Sequence, residues 1–159
     1  MHAVIWIALA VVVVLIAARL GAFSGRPPTE LGVRDGRLKP PSRTPNSVTS
    51  QADLWPDAPL RDDARIAPLP MAGDARASIA RIAAVVEDLP GAEVVEQRDD
   101  YLYARFTTAM LRFVDDVEFW VDPAAGVVQV RSASRVGRKD FGVNRARIEQ
   151  IRQRLAAAG

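Results

Sequence analysis

The side chains best able to do chemistry gather in three short runs: FVDDVEF at 113–119, RSASRVG at 131–137 and NRARIE at 144–149. Asp116 and Glu118 are two residues apart, so in a strand they share a face. Two carboxylates so placed could divide acid and base duties or hold a hard cation. Ser132 and Ser134 could act as nucleophiles only with a base. The one histidine is His2 and there is no cysteine, which excludes a His-based triad, a thiolate nucleophile and zinc–thiolate sites. A Ser–Lys pair would need Lys139, which follows Arg138 in an expected turn and reads as solvated. Arg131, Arg135 and Arg145 could receive a small anion, with the serine hydroxyls orienting it. Glu118 reads more simply as a cross-strand partner of Arg131. No residue is assigned a catalytic role, and no metal or cofactor is expected.

Those residues need elements to hold them. Residues 111–122 alternate as a strand, with Phe113, Asp115, Val117, Phe119 and Val121 on one face and Val114, Asp116, Glu118 and Trp120 on the other. Pro123–Gly126 is a turn and 127–136 the returning strand. Pairing Asp122 with Val127 sets Val121 against Val128, Phe119 against Val130, Val117 against Ser132, Asp115 against Ser134 and Glu118 against Arg131. A slip of one residue would destroy both the apolar and the charge matches. Asp115 then lies on the apolar face, where a carboxylate needs partners. Ser134 sits opposite, Ser132 diagonally, and Asn144 and Arg145 are expected overhead. A buried polar network that docks the last helix is the favoured reading, with an anion pocket as the functional one.

Two further strands are expected at 92–98 and 101–107, around Asp99-Asp100. A helix capped by Asp74 runs to Leu89 with the stripe Ile79, Ile82, Val86 and Leu89, and Pro90-Gly91 ends it. A last helix at 142–157 buries Ile148, Ile151 and Leu155. Helix, four strands, helix implies an α+β two-layer sandwich: a four-stranded antiparallel meander with two helices on one face.

Ahead of this lies different material. Residues 3–18 are an unbroken apolar run of 16; with the residues to Phe23 a helix reaches about 30 Å, enough for a hydrocarbon core. A cleaved signal peptide competes with this reading, but no positive side chain precedes the run and the run is long for one. An uncleaved single-pass anchor over residues 1–23 is therefore favoured, contacting lipid, in a bacterial inner membrane. The basic residues that follow it place the rest of the chain on the cytoplasmic side by the positive-inside rule. Nine of the 11 prolines fall between Pro27 and Pro70, so residues 24–70 read as a tether, mobile over 24–44 and packed on the domain over 45–70. Residues 71–159 form the domain.

Charge is blocked along the chain: six basic and two acidic residues in 1–45, seven and fifteen in 46–130, eight and two in 131–159. Neutralisation within one fold accounts for this pattern better than a polyanionic partner does. Nucleic-acid binding is not expected, since no recognition motif is present.

The three runs, together with PNSVTSQ at 45–51, resemble the domain of unknown function 1499 family over about residues 45–155. Family members often carry cysteines near the PNSVTS segment; here Thr44 and Ser47 stand there, so no thiol role carries over. The resemblance supplies no reaction, substrate or cofactor. The expected function is a membrane-tethered, non-enzymatic binding or interaction module, with a protein or small anion as partner. The alternative is a small membrane-associated enzyme, hydrolytic, that uses Asp115, Asp116 or Glu118.

Overall fold

The computed structural model describes residues 1–158. The region around the three runs is built on a hairpin, β5 (Val114–Asp122) and β6 (Val127–Ser134), in the expected register: Asp122 faces Val127, Asp115 faces Ser134 and Glu118 faces Arg131. Strand β5 starts three residues later than its alternation suggested. Arg112 takes a φ of 60°, and the Phe113 N–H donates to Thr108 Oγ1 at 3.0 Å, which closes a turn there. β4 (Tyr101–Thr107) and β3 (Ala92–Gln97) continue the antiparallel meander, with a bulge between Val94 and Glu96.

The sheet has six strands, not four. β1 (Ser47–Thr49) and β2 (Leu69–Pro70) both pair with the free edge of β6. Both come from the proline-rich segment. Its prolines preclude long strands, but two- and three-residue strands on an edge need few ladder donors. Between them lie a 3₁₀ turn (Ala52–Leu54) and the short helix α2 (Arg61–Ala64).

Helices α3 (Ala75–Glu87) and α4 (Val143–Ala157) lie on one face. Asp74 caps α3 by accepting from the Ala77 N–H at 2.7 Å. Ile79, Ile82 and Val86 of α3 and Ile148 and Ile151 of α4 pack with Leu102, Phe106, Val117, Phe119, Val128 and Val130 into the main core.

The other face is also covered, against the expectation of a mobile segment at 24–44. Residues 31–40 cross it. Arg34 and Arg37 bond to each other through N–H and C=O at 2.9 and 3.0 Å around Asp35-Gly36, with φ 51° and 70°. Positive φ at both central residues makes a type I′ hairpin turn, which Asp-Gly favours. Leu31, Val33 and the fully buried Leu38 then pack on Tyr101, Tyr103 and Trp120. Gln51 locks this strap: its Oε1 accepts from the Leu38 N–H and its Nε2 donates to the Gly36 carbonyl, both at 2.8 Å.

Helix α1 (His2–Arg19) stands apart. It is apolar and long enough to cross a membrane, and of its residues only Ala18 is buried.

Candidate functional site

The three runs form two polar clusters separated by the sheet. On the helix side, Asp115 Oδ2 accepts from Arg147 Nη2 at 2.6 Å. Arg147 also stacks over the Phe106 ring at 4.5 Å and donates to Ser132 Oγ and Asn144 Oδ1. Asn144 is the node: it accepts from Ser132 Oγ, and its amide donates to Ser134 Oγ, the Asn46 carbonyl and Asp140 Oδ2. One knot therefore ties β1, β6 and the start of α4.

Arg145, expected above Asp115, is not there. Its Nη2 donates to the carbonyls of Asp63 and Arg65 at 2.9 and 2.8 Å. The reason is helical phase: Asn144, Arg147, Ile148 and Ile151 follow i, i+3, i+4, i+7 and share a face, while Arg145 lies about 100° away from Asn144. The same spacing would have identified Arg147 from sequence. Arg152, seven residues on and so on the same face two turns later, works like Arg145, donating to the carbonyls of Ala67 and Pro68 at 2.7 Å each. These arginines hold residues 63–68 to α4 through carbonyls that no sheet satisfies.

On the strap side, Arg135 grips Asp116 with two bonds, Nε to Oδ2 at 2.9 Å and Nη2 to Oδ1 at 2.8 Å. Tyr103 Oη donates to Asp116 Oδ1 at 2.6 Å. The bond to Asp116 raises the Arg135 guanidinium above its ordinary value, and burial pushes the Tyr103 phenol up to about 12. Glu118 is completely buried. Its Oε1 accepts from the Gly32 N–H and from Tyr101 Oη, both at 2.8 Å, whereas Oε2 has no hydrogen-bond partner and Arg131 Nη1 stands 3.9 Å away. Burial therefore raises the Glu118 carboxyl despite the Gly32 N–H and Arg131, and burial lowers Arg131.

Arg131 and Arg135 thus lie across the sheet from Arg145, so the anion pocket expected from these three is not assembled. Asp116 and Glu118 do share a face, but each is enclosed with its own arginine. Sequence reasoning also missed Tyr101, Tyr103 and Asp140. The tyrosines were legible as occupants of the Asp116–Glu118 face, since they alternate opposite Leu102 and Ala104. Asp140 accepts from the N–H groups of Gly142 and Asn144 at the start of α4, and these bonds together with the Asn144 amide hold its carboxyl below the ordinary range although burial opposes them.

A recess of about 310 Å³ opens between the proline-rich segment and α4, lined among others by Ser42, Thr44, Asp63, Lys139, Asp140 and Arg145. Among the described residues, no three His, Cys, Asp or Glu side chains gather as metal ligands do.

Residues 37–155 match the family described as "Protein of unknown function (DUF1499)". That span takes in β1 and part of the strap as well as the three runs. No curated protein matches the chain, and no solved structure matches it.

Proposed function

The protein belongs to the DUF1499 family, whose match spans well over half of the chain, and on that premise we propose that it works as a membrane-tethered, non-enzymatic binding module. The observation that carries this reading is the pairing of the motif carboxylates. Asp115 is held by Arg147, Asp116 by Arg135 and Tyr103, and Glu118 lies beside Arg131. A general acid or base must reach substrate; these three are buried and serve the docking of α4 and of the strap. The apolar, exposed α1 supports the tether. Recognition then falls to the surface, to a protein partner or to a small anion in the recess beside Lys139 and Arg145.

Catalytic side chains are commonly held at a cost to stability, so their replacement tends to leave stability unchanged or raise it. Asp115→Asn and Asp116→Asn are expected to lower the melting temperature of the full chain in detergent. An unchanged or raised melting temperature for either would favour the enzymatic reading. Arg26, Arg34, Arg37, Lys39 and Arg43 follow α1 within a short span, which supports a cytoplasmic domain in a bacterial inner membrane. A C-terminal alkaline phosphatase fusion tests this side: no phosphatase activity is expected, and strong activity overturns it.

A further inference from the structure

The proposed tether has a consequence for one end of the domain. The chain leaving α1 runs against two loops there: the Phe23 and Phe113 rings lie 5.7 Å apart, Ser24 Oγ donates to the Arg112 carbonyl at 3.4 Å, and Gly25 passes so close to Arg135 that a Cβ on it would lie 2.7 Å from the Arg135 Cβ. These loops, 108–113 and 135–142, join the strand ends on the side where α1 departs. Beyond residue 20, seven large hydrophobic side chains are exposed, and five of them are at this end: Met110, Phe113, Val136, Phe141 and Val143. Phe141 is 93% exposed and Met110 70%. Phe141 also holds a φ of 53°, a conformation unfavourable for a bulky residue, and nothing in the domain packs on the ring to repay it.

Charge follows the same geography. Most arginines elsewhere in the domain meet a carboxylate or a backbone carbonyl, with Arg154 an exception. Arg26, Arg43, Arg112, Arg138 and Lys139 have no carboxylate oxygen within 4.0 Å among the described residues. Arg43, Arg138, Lys139 and Phe141 share an open hollow of about 540 Å³ with Thr44 and Pro45. Of the acids at this end, Asp140 is spent on the start of α4, Asp63 lines the adjoining recess with Lys139 but makes no ion pair with it, and Glu87 and Asp88 lie at the rim where α3 ends. The opposite end carries Asp99, Asp100 and Asp122 at its turns.

We propose that this end is a second membrane contact: Met110 and Phe141 enter the interface beside α1, and Arg43, Arg138 and Lys139 bind the phosphates of anionic lipid headgroups. Unpaired cations around exposed apolar side chains are the arrangement that adsorbs to an anionic leaflet, and α1 holds the face at the bilayer in any case. The inference rests on the tethering reading, and the test separates the two.

The chain has no cysteine, so single cysteines can carry an environment-sensitive fluorophore. Three full-length variants, Val12→Cys, Met110→Cys and Ala125→Cys, are reconstituted into vesicles of phosphatidylcholine alone or with phosphatidylglycerol. A blue-shifted emission is expected at position 12 in both lipids, at 110 only with phosphatidylglycerol, and at 125 in neither. Added salt, or Arg138→Ser with Lys139→Ser, should return position 110 to an aqueous emission. Position 110 remaining aqueous while 12 is in hydrocarbon overturns the docking face and leaves the tether standing. An aqueous position 12 overturns the tether itself. Equal shifts at 110 in the two lipids overturn the anionic headgroups as the ligand. The salt arm needs no substitution, so misfolding of the double variant cannot mimic the result.

Discussion

At the level of single residues, the FVDDVEF run spends its carboxylates on internal partners, and the cost of removing each follows from what it leaves behind. Asp116→Ala would strand the buried Arg135 guanidinium and the Tyr103 hydroxyl, a loss of roughly 3–5 kcal/mol in a denaturant titration. Asp115 and Arg147 should show strong coupling in a double-mutant cycle, and Asp115 with Arg145 essentially none, because Arg145 bonds the carbonyls of Asp63 and Arg65 instead. Glu118 gives a signed pH effect. Its folded carboxyl is raised above the ordinary 4.5 by burial, so the folded state binds the extra proton. This group's contribution to stability then falls as pH rises from about the unfolded value through the folded one. Asp140 has the opposite sign: its carboxyl is lowered, so its contribution is present above the unfolded value and lost as pH falls through the folded one. Glu118→Gln removes the first trend only. The stability of the variant relative to wild type should therefore increase with pH through that window, whatever the constant offset. A difference that stays flat from acid to neutral pH would contradict the assignment.

Element by element, the sheet and helices were legible where one face meets one core. Strand 101–107 and the β5–β6 register followed from alternation and charge matching, and the α3 stripe from helical spacing. Strands β1 and β2 were not legible, because two or three residues show no period and proline argues against a strand. The strap was missed for a different reason. Asp35-Gly36 is a hairpin signal, but its flanks are Arg34 and Arg37, and the apolar residues beside it, Leu31, Val33 and Leu38, are too few to mark two strands. Its stability comes from Gln51 and from the aromatic face across the sheet. If the strap belongs to the folded unit, Leu38→Ala should cost about 2–5 kcal/mol by calorimetry or denaturant melt; a surface tether would lose nothing. Gly91, at φ 76°, ends the run after α3, and a Cβ there would lie 2.3 Å from the Thr107 carbonyl oxygen. Gly91→Ala should therefore destabilise by at least about 1 kcal/mol, read as a lowered melting temperature.

Across the whole molecule, charge organisation and fold agree. The basic C-terminal block is drawn inward at Arg131, Arg135, Arg145, Arg147 and Arg152, onto acids and the backbone carbonyls of Pro40 and residues 63–68. What remains unpaired is concentrated largely at the end from which α1 departs. Deleting residues 2–23 is expected to release the chain from membranes at alkaline pH, whereas the full chain should stay with the pellet. Retention of the deleted chain under those conditions would require a lipid contact stronger than headgroup attraction, which salt screens over about 10 Å at 0.1 M.

The sequence by itself determined what depends on neighbours along the chain: the apolar helix, the α3 cap and stripe, the hairpin register and the burial of Asp115. These are local because periodicity and capping act within a few residues. Tertiary structure alone decided that Arg147 meets Asp115 and Arg135 meets Asp116, that both faces of the sheet are covered, and that the proline-rich segment adds two strands. Each of those joins residues far apart in sequence, as when Gly32 meets Glu118 or Arg147 meets Asp115. Such contacts are selected by the geometry of the assembled layers and by the cost of leaving a buried charge without a partner.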